Sequence, residues 1–397
     1  MTTRPLWIVA TAVVLFGVVM GGLAYRSLRA SRLVALRQAC LAARNASDWP
    51  RMERLAARWR IDCPLDPDAW ICAAQASLEQ GRLDEAASLL DRLPDGDPKT
   101  VLGLLKRVDL LVGPLRDPIA AIETCERIIA MAPTAAEAHR RLLFLRAVLL
   151  DRRNLAADAR RAIQCRADLP DTHVYLLASS WITLSDTSEM NGRWLKQHPD
   201  EETFLVAKAR GDVATRGLDG PAEDDSVTEL PPAESENERR LRALLERFPH
   251  NTELLTYFLE RATVAGNVKE AVTLLGAAGP NAEADGRFWR FKGWVHAARD
   301  EIDLAESSYR RAIALDPFDF ASRHLLAAAL RKKGDAQEAS ALSRIADKGR
   351  ALRRTILQQP NAAATPPDVL RRIADYAADC GENEVARAIL DRIEADL

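Results

Sequence analysis

The stretch 288-FWRFKGWVHAARDEIDLAESSYRRAIALDP-317 decides how the rest of this 397-residue chain is read. Two amphipathic segments flank the polar break Arg299-Asp300-Glu301. In the first, Trp289 and Gly293 lie four apart on one helical face; in the second, Ala305, Tyr309 and Ala312 share a face. Gly293 and Ala305 are small where two helices must approach closely, and Trp289 and Tyr309 supply the bulk around that contact. Pro317 stops the second helix. The stretch predicts a helix, a turn at Asp300, and a second helix folded back on the first.

Outward from it the pattern repeats. Leu255, Leu259, Gly266, Ala271 and Leu275 form the unit before; Leu326, Ala327, Leu330, Gly334, Ala339 and Ala346 form the unit after. The turn residues Gly266, Asp300 and Gly334 stand at intervals of 34. Near the N-terminus the same interval of 34 separates Ser47 from Gly81, Met52 from Ala86 and Pro64 from Pro98. Chance helical patterning does not hold register through turns, packing positions and stops together. The order aromatic, Gly, break, Ala, Tyr, Ala, Pro at this period resembles the tetratricopeptide repeat, a helix-turn-helix unit of about 34 residues. Lys292 and His296 depart from it, because the family usually places an apolar and an aromatic residue there. The resemblance implies an all-α chain, a right-handed α-solenoid of stacked antiparallel helix pairs.

The units between are less regular. Leu104, Val108, Ala121, Cys125, Ile128 and Pro133 form one, with an insertion near Gly113-Pro114; Leu142, Leu145, Leu149, Ala162, Cys165 and Pro170 form the next. Val174 to Leu184 then reads as a helix with a truncated partner before Pro199. Thr203–Arg210 and Glu236–Arg247 read as a pair interrupted by the one composition break in the chain. Residues 217–238 hold eight acidic residues and no Lys or Arg, with Pro221, Pro231 and Pro232 breaking any helix. Such a segment buries too little apolar surface to offset its ordering entropy, so residues 212–235 are expected to be a disordered acidic insertion. The expected organisation is therefore repeats over 33–211, the insertion over 212–235, and repeats over 236–397. A last unit carries Leu370, Ala374, Gly381, Ala386 and Leu390.

Ahead of the repeats, a tail at residues 1–4 precedes Pro5–Tyr25, an apolar run interrupted only by Thr11. Twenty or so apolar residues suffice to cross a bilayer, so 5–25 is read as one N-terminal transmembrane helix. The rival reading is a cleaved signal peptide with Gly22-Leu23-Ala24 as its small-x-small site; the run is longer than a usual signal core, which favours an uncleaved anchor. The expected location is a single-pass protein of a bacterial-type inner membrane. Arg26, Arg29, Arg32 and Arg37 follow the run, against Arg4 before it, and this count favours the cytoplasmic side for the repeats.

The rest of the composition excludes more than it suggests. Net charge is −2, so there is no global basic field, and no nucleic-acid partner is expected. The six cysteines, Cys40, Cys63, Cys72, Cys125, Cys165 and Cys380, sit singly in helical patterns and read as small buried apolar residues. No Gly-rich phosphate cradle, HExxH or GxSxG elbow occurs, and Asp66-Pro67-Asp68 and Asp95-Gly96-Asp97 lack the further ligands of a calcium loop. No catalytic, cofactor or metal residue is therefore assigned.

Stacked helix pairs bury each other's apolar stripes and leave a concave surface lined by the first helix of each pair. On the C-terminal units that face is expected to carry Arg287, Arg290, Trp294, His324, Arg331 and Arg371. Several guanidinium groups beside an aromatic suit an acidic or aromatic-bearing peptide. The function expected from the resemblance is a membrane-anchored, non-catalytic scaffold or adaptor for a protein or peptide partner. The alternative is an envelope-assembly or enzyme-accessory factor binding a polysaccharide or lipid, which a row of stacked aromatics would favour.

Overall fold

The computed structural model describes Met20, residues 31–217 and residues 236–395. Every regular element in these residues is helical. In order they are α1 (31–45), α2 (Trp49–Asp62), α3 (Pro67–Glu79), α4 (Leu83–Asp91), α5 (Pro98–Val112), α6 (Pro118–Met131), α7 (Ala136–Val148), α8 (Arg152–Gln164), α9 (Pro170–Ala178) and α10 (Thr187–Trp194). There follow α11 (Glu202–Gly217), α12 (Glu236–Arg247), α13 (Thr252–Val264), α14 (Val268–Gly276), α15 (Gly286–Ala298), α16 (Ile302–Leu315), α17 (Phe320–Lys333), α18 (Ala336–Leu357), α19 (Pro367–Asp379) and α20 (Asn383–Ala395). They fall into two compact units, residues 1–131 and 132–397. The segment 5–25 expected to anchor the chain lies outside the described residues except for Met20. Among the described residues no helix is long and apolar enough to cross a membrane.

Local backbone chemistry sets the repeat. Ser47, Gly81, Gly266, Asp300, Gly334 and Gly381 all adopt positive φ, between 53° and 88°. All but Gly381, which belongs to the last unit, are turn positions read from the 34-residue interval, and the left-handed residue is what reverses the chain after each first helix. Aspartate and asparagine caps open many of the helices: Asp48, Asp97, Asn251 and Asp319 each accept a backbone N–H of the first turn. Proline plays a second part that spacing alone misses. Pro64 follows the end of α2, but Pro98 occupies the first turn of α5, so the two are not equivalent stops. A helix start tolerates proline because its missing N–H has no partner there in any case.

In the unit 1 repeats the packing positions hold register. Met52 and Ala86, 34 apart, are both fully buried, with Ala56 and Trp59 beside the first. In unit 2, α15 and α16 pack with Ala305, Tyr309 and Ala312 buried at 1% exposure or less. The small residue of that contact works differently from expectation. A Cβ on Gly293 would stand 2.5 Å from Cε1 and 2.6 Å from Cδ1 of Tyr309, so the glycine seats the flat of the tyrosine ring, not Ala305.

The middle of unit 2 departs from a simple ladder. The helix expected over Val174–Leu184 is α9, which ends at Ala178, and α9 does not pair with the short helix after it. Instead α10 packs on α11, with Trp194 and Phe204 ring centroids 5.6 Å apart. Every residue of α9 from Asp171 to Ala178 is buried. One side meets α7 and α8; the other meets α19 and the short 3-10 turn Ala362–Ala364. Arg160 of α8 reaches Glu382, 222 positions away, at 2.6 Å. A single core joins Leu143, Leu155, Val174 and Leu177 to Ile373, Tyr376 and Ile389. The start and end of unit 2 therefore pack on each other, whereas an open solenoid keeps each repeat against its neighbours only.

The insertion is also shorter than expected. Helix α11 continues to Gly217, past the predicted end at Arg210, because Val206, Ala209 and Val213 keep burying apolar surface against α12 and α13. Helix α12 runs over Glu236–Arg247, and residues 218–235 of the expected insertion lie outside the described residues.

Candidate functional site

Unit 2 brings charged side chains from well-separated helices to one place. Arg152 opens α8, and its Nε donates to both Oε1 and Oε2 of Glu253 on α13 at 3.1 Å. Its Nη1 donates to the carbonyls of Ser179 (3.1 Å) and Ile182 (2.7 Å), just beyond α9. Glu253 is held from the other side by Arg287 Nη2 at 2.6 Å, and Arg287 also forks onto Asp285, which caps α15. Arg152, Glu253 and Arg287 are each exposed by 8% or less. Burial alone would raise the Glu253 carboxyl, but Arg152, Arg287 and Arg210 outweigh it and bring it down to about 2. Such a paired cluster fixes which helices meet more than it adds net stability, since desolvation offsets much of the attraction.

A second layer lies along the same helices. Arg290 donates Nη1 to Asp319 Oδ2 at 3.1 Å, and its Nη2 stands 3.6 Å from Glu260. Asp319 caps α17 through the N–H groups of Ala321 and Ser322 and accepts the Ser322 hydroxyl at 2.5 Å. Next to it, Asp316 ends α16 and accepts from the Phe318 N–H at 3.0 Å. Burial first, then the Asp319 carboxylate, push the Asp316 carboxyl up to about 6, against the hydrogen bond from Ser180. One carboxyl of this pair is thus held ready to carry a proton near neutral pH, while Arg290 and Ser322 keep Asp319 below its ordinary value despite burial.

Arg353 of α18 is the exception in this neighbourhood. Its guanidinium stands over the Trp181 ring, 5.4 Å from the centroid. It makes no hydrogen bond or ion pair among the described residues, although the side chain remains open to water. Burial, first, and the Arg290 charge hold it below its ordinary value, with Glu260 opposing them. A cation crowded by protein, accessible to water and lacking a counter-ion is what a wall of a binding groove presents. The groups around it come from α13 (Glu260), α15 (Arg290), α18 itself and the turn after α9 (Trp181), which span 173 positions of sequence from 181 to 353 inclusive.

The six residues expected to line a peptide groove are not gathered there. Arg287 and Arg290, expected on an open face, are inside: their guanidiniums are consumed by Glu253, Asp285 and Asp319. Trp294 is half-buried against the core of α11–α15. His324 and Arg331 are exposed on α17; burial, then the Arg350 and Arg331 charges, hold the His324 imidazole low, and Arg331 donates to Ser343 at 2.5 Å. Arg371 is exposed on α19. The residues missed by sequence reasoning are Arg152, Glu253, Asp316, Asp319, Trp181 and Arg353. Only Asp319 carried a local signal, as the cap before Phe320.

No family model and no curated protein matches this chain. Solved helical structures do align with it. The human IFIT1 dimer with PPP-AAAA aligns at 12% identity over 89% of this chain and 87% of that one, with a TM-score of 0.34. A tetratricopeptide repeat protein from Parabacteroides merdae ATCC 43184 aligns at 13% identity over 75% of this chain and 98% of that one, with a TM-score of 0.28. Likeness of that degree says nothing about ligands. The helical-repeat architecture rests on this chain's own geometry: paired helices, left-handed turns at a fixed interval, and buried small residues between them.

Proposed function

We propose that the protein is a membrane-tethered, non-catalytic scaffold of tetratricopeptide type, a right-handed solenoid that holds an acidic segment of a protein partner beside Arg353. The observation that carries this reading is the unpaired guanidinium over Trp181, on a helix near Arg290, which, like Arg287, is already neutralised. A carboxylate entering there meets a fork of N–H donors that has lost part of its hydration, so the contact is stronger than one at an open surface. Trp181 adds an apolar plate for the stem of the same side chain. The polysaccharide or lipid alternative calls for a row of aromatic faces; among the described residues around Arg353, Trp181 alone supplies one. The tether is the apolar run 5–25.

The test is site-specific photocrosslinking from position 181 in the full-length protein, followed by mass spectrometry of the adduct. The expected adduct is a protein joined through a segment rich in Asp or Glu. Arg353→Glu should lower capture by about tenfold or more, the equivalent of ~1.4 kcal/mol, and Arg353→Lys by less, because Lys keeps the charge without the fork. Full capture by Arg353→Glu with unchanged helicity would overturn the assignment.

A further inference from the structure

The outer face of α2 carries a row of cations. Arg51, Arg54 and Arg58 follow at helical spacing, turned away from the buried Met52, Ala56 and Trp59, and all three are exposed. Their guanidiniums make no hydrogen bond or ion pair among the described residues. Glu53, which feels the Arg54 charge, is taken by Arg82 at 2.7 Å, and Asp48 is spent capping the helix. The acid that shares the face is Asp62, at its C-terminal end. Residues 32–60 hold seven arginines against two acids, a surplus of five positive charges in a chain of net charge −2. The row ends on apolar side chains in water. Ile61 lies in the last turn of α2 and Leu65 in the turn before α3; each is 81% exposed, the most of any large hydrophobic among the described residues. That turn is pinned from both sides. The Trp59 indole N–H donates to Asp66 Oδ2 at 3.1 Å, and the Trp70 indole N–H donates to the Pro64 carbonyl at 2.8 Å. Leu65 is therefore presented outward on a fixed turn.

We propose that the outer face of α2 and the turn after it form a docking surface for an anionic phospholipid bilayer. Arg51, Arg54 and Arg58 lie over the headgroups, where guanidinium forks match phosphate oxygens. Ile61 and Leu65 enter the boundary between headgroups and acyl chains. Each half of the face selects against other partners. Unpaired cations alone suit any polyanion, but exposed isoleucine and leucine beside them suit a surface that is charged outside and apolar just beneath. A nucleic acid has the charge without that layer. An arginine close to an anionic membrane is worth roughly fivefold in partition, and the attraction fades over a Debye length of about 8 Å at physiological salt. The face acts without the tether. An anchored run 5–25 keeps it close to the bilayer, and the docking then sets how the first repeats lie on the membrane, not whether the chain stays there.

The experiment uses the full-length chain with a photoreactive residue in place of Leu65, reconstituted with vesicles of phosphatidylcholine alone or of phosphatidylcholine and phosphatidylglycerol in equal parts. Irradiation should attach a phospholipid in the mixed vesicles, at a yield about tenfold or more above that in phosphatidylcholine. The excess should vanish in about 0.5 M salt, where the Debye length shrinks to roughly 4 Å. Arg51→Gln/Arg54→Gln/Arg58→Gln should lower the lipid adduct by about tenfold or more with helicity unchanged, and Ile61→Ser by less. Carbonate extraction of the same vesicles separates this face from the tether. A chain that carbonate releases, but that takes lipid at neutral pH in the mixed vesicles, keeps the face and loses the tether. A chain that resists carbonate yet gives equal adduct in both vesicle types keeps the tether and loses the face. An adduct insensitive to the triple substitution, or capture of an added oligonucleotide in place of lipid, would equally overturn the proposal.

Discussion

Replacing Asp316 by Asn tests the charge balance beside Asp319 and Arg290 directly. The carboxyl is pushed from an ordinary 3.8 to about 6 by burial and by Asp319. At about 1.4 kcal/mol per pH unit, a group so shifted costs the folded state roughly 3 kcal/mol once it is ionised in both states. The sign follows from proton binding: a folded pKa above the unfolded one means that the folded chain holds the extra proton. Stability is therefore full below about pH 4 and falls as pH rises through 6. Asparagine keeps an acceptor for the Phe318 N–H and carries no charge. The hydrogen bonds that Phe318 and Ser180 give the carboxylate are already contained in the shift to about 6. The net expectation is a gain of about 3 kcal/mol at pH 8, or ~6–12 °C in melting temperature for a unit of this size. By pH 4.5 the wild-type carboxyl is protonated in the folded chain and most of the penalty has gone, so the two proteins should melt together. The assay is paired thermal unfolding of the full-length protein and Asp316→Asn across pH 4.5–8. An Asn variant that is less stable at pH 8, or a difference independent of pH, would refute the burial and Coulomb argument.

Other outcomes are expected on the same reasoning. Gly293→Ala places a Cβ 2.5 Å from the buried Tyr309 ring and should lower stability by about 1–3 kcal/mol in chemical denaturation; an unchanged midpoint would mean the helices can part at no cost. Glu253→Gln leaves Arg152 and Arg287 short of their shared carboxylate, and a loss of about 3–5 kcal/mol at pH 7 is expected, with partial recovery in Arg152→Met/Glu253→Leu. Because the Glu253 carboxyl lies at about 2 against an ordinary 4.5, its contribution is present above pH 4.5 and lost as pH falls toward 2, which acid titration of the wild type and Glu253→Gln would separate. The chain should stay in the membrane pellet after carbonate extraction with residues 5–25 attached; release of a soluble chain beginning near Tyr25 would exclude the anchor.

The repeat was legible because its signals are local. A positive φ at Gly81, Gly266, Gly334 or Gly381 needs only the residue itself and the helix behind it, and the 34-residue interval follows from two helices and one turn. Ser47 and Asp300 show the same conformation without glycine, and their spacing alone revealed them. Burial of Met52, Ala86, Ala305 and Tyr309 follows from helical periodicity, which any correct register preserves.

What only the tertiary structure decided is where the charges go. Periodicity placed Arg287 and Arg290 on the open, concave face of their helix but could not distinguish an open cation from one already paired. Their partners sit 34 and 29 positions away, at Glu253 and Asp319, and Arg152 reaches Glu253 across 101. The closure of unit 2 is of the same kind. Nothing in α9 names α19 as its cover, and the Arg160–Glu382 contact depends on the summed rotation of every repeat between. Small angular increments at each helix pair accumulate into the final position of the last one, and no single segment encodes that sum. The site around Arg353 and Trp181 exists only because of it.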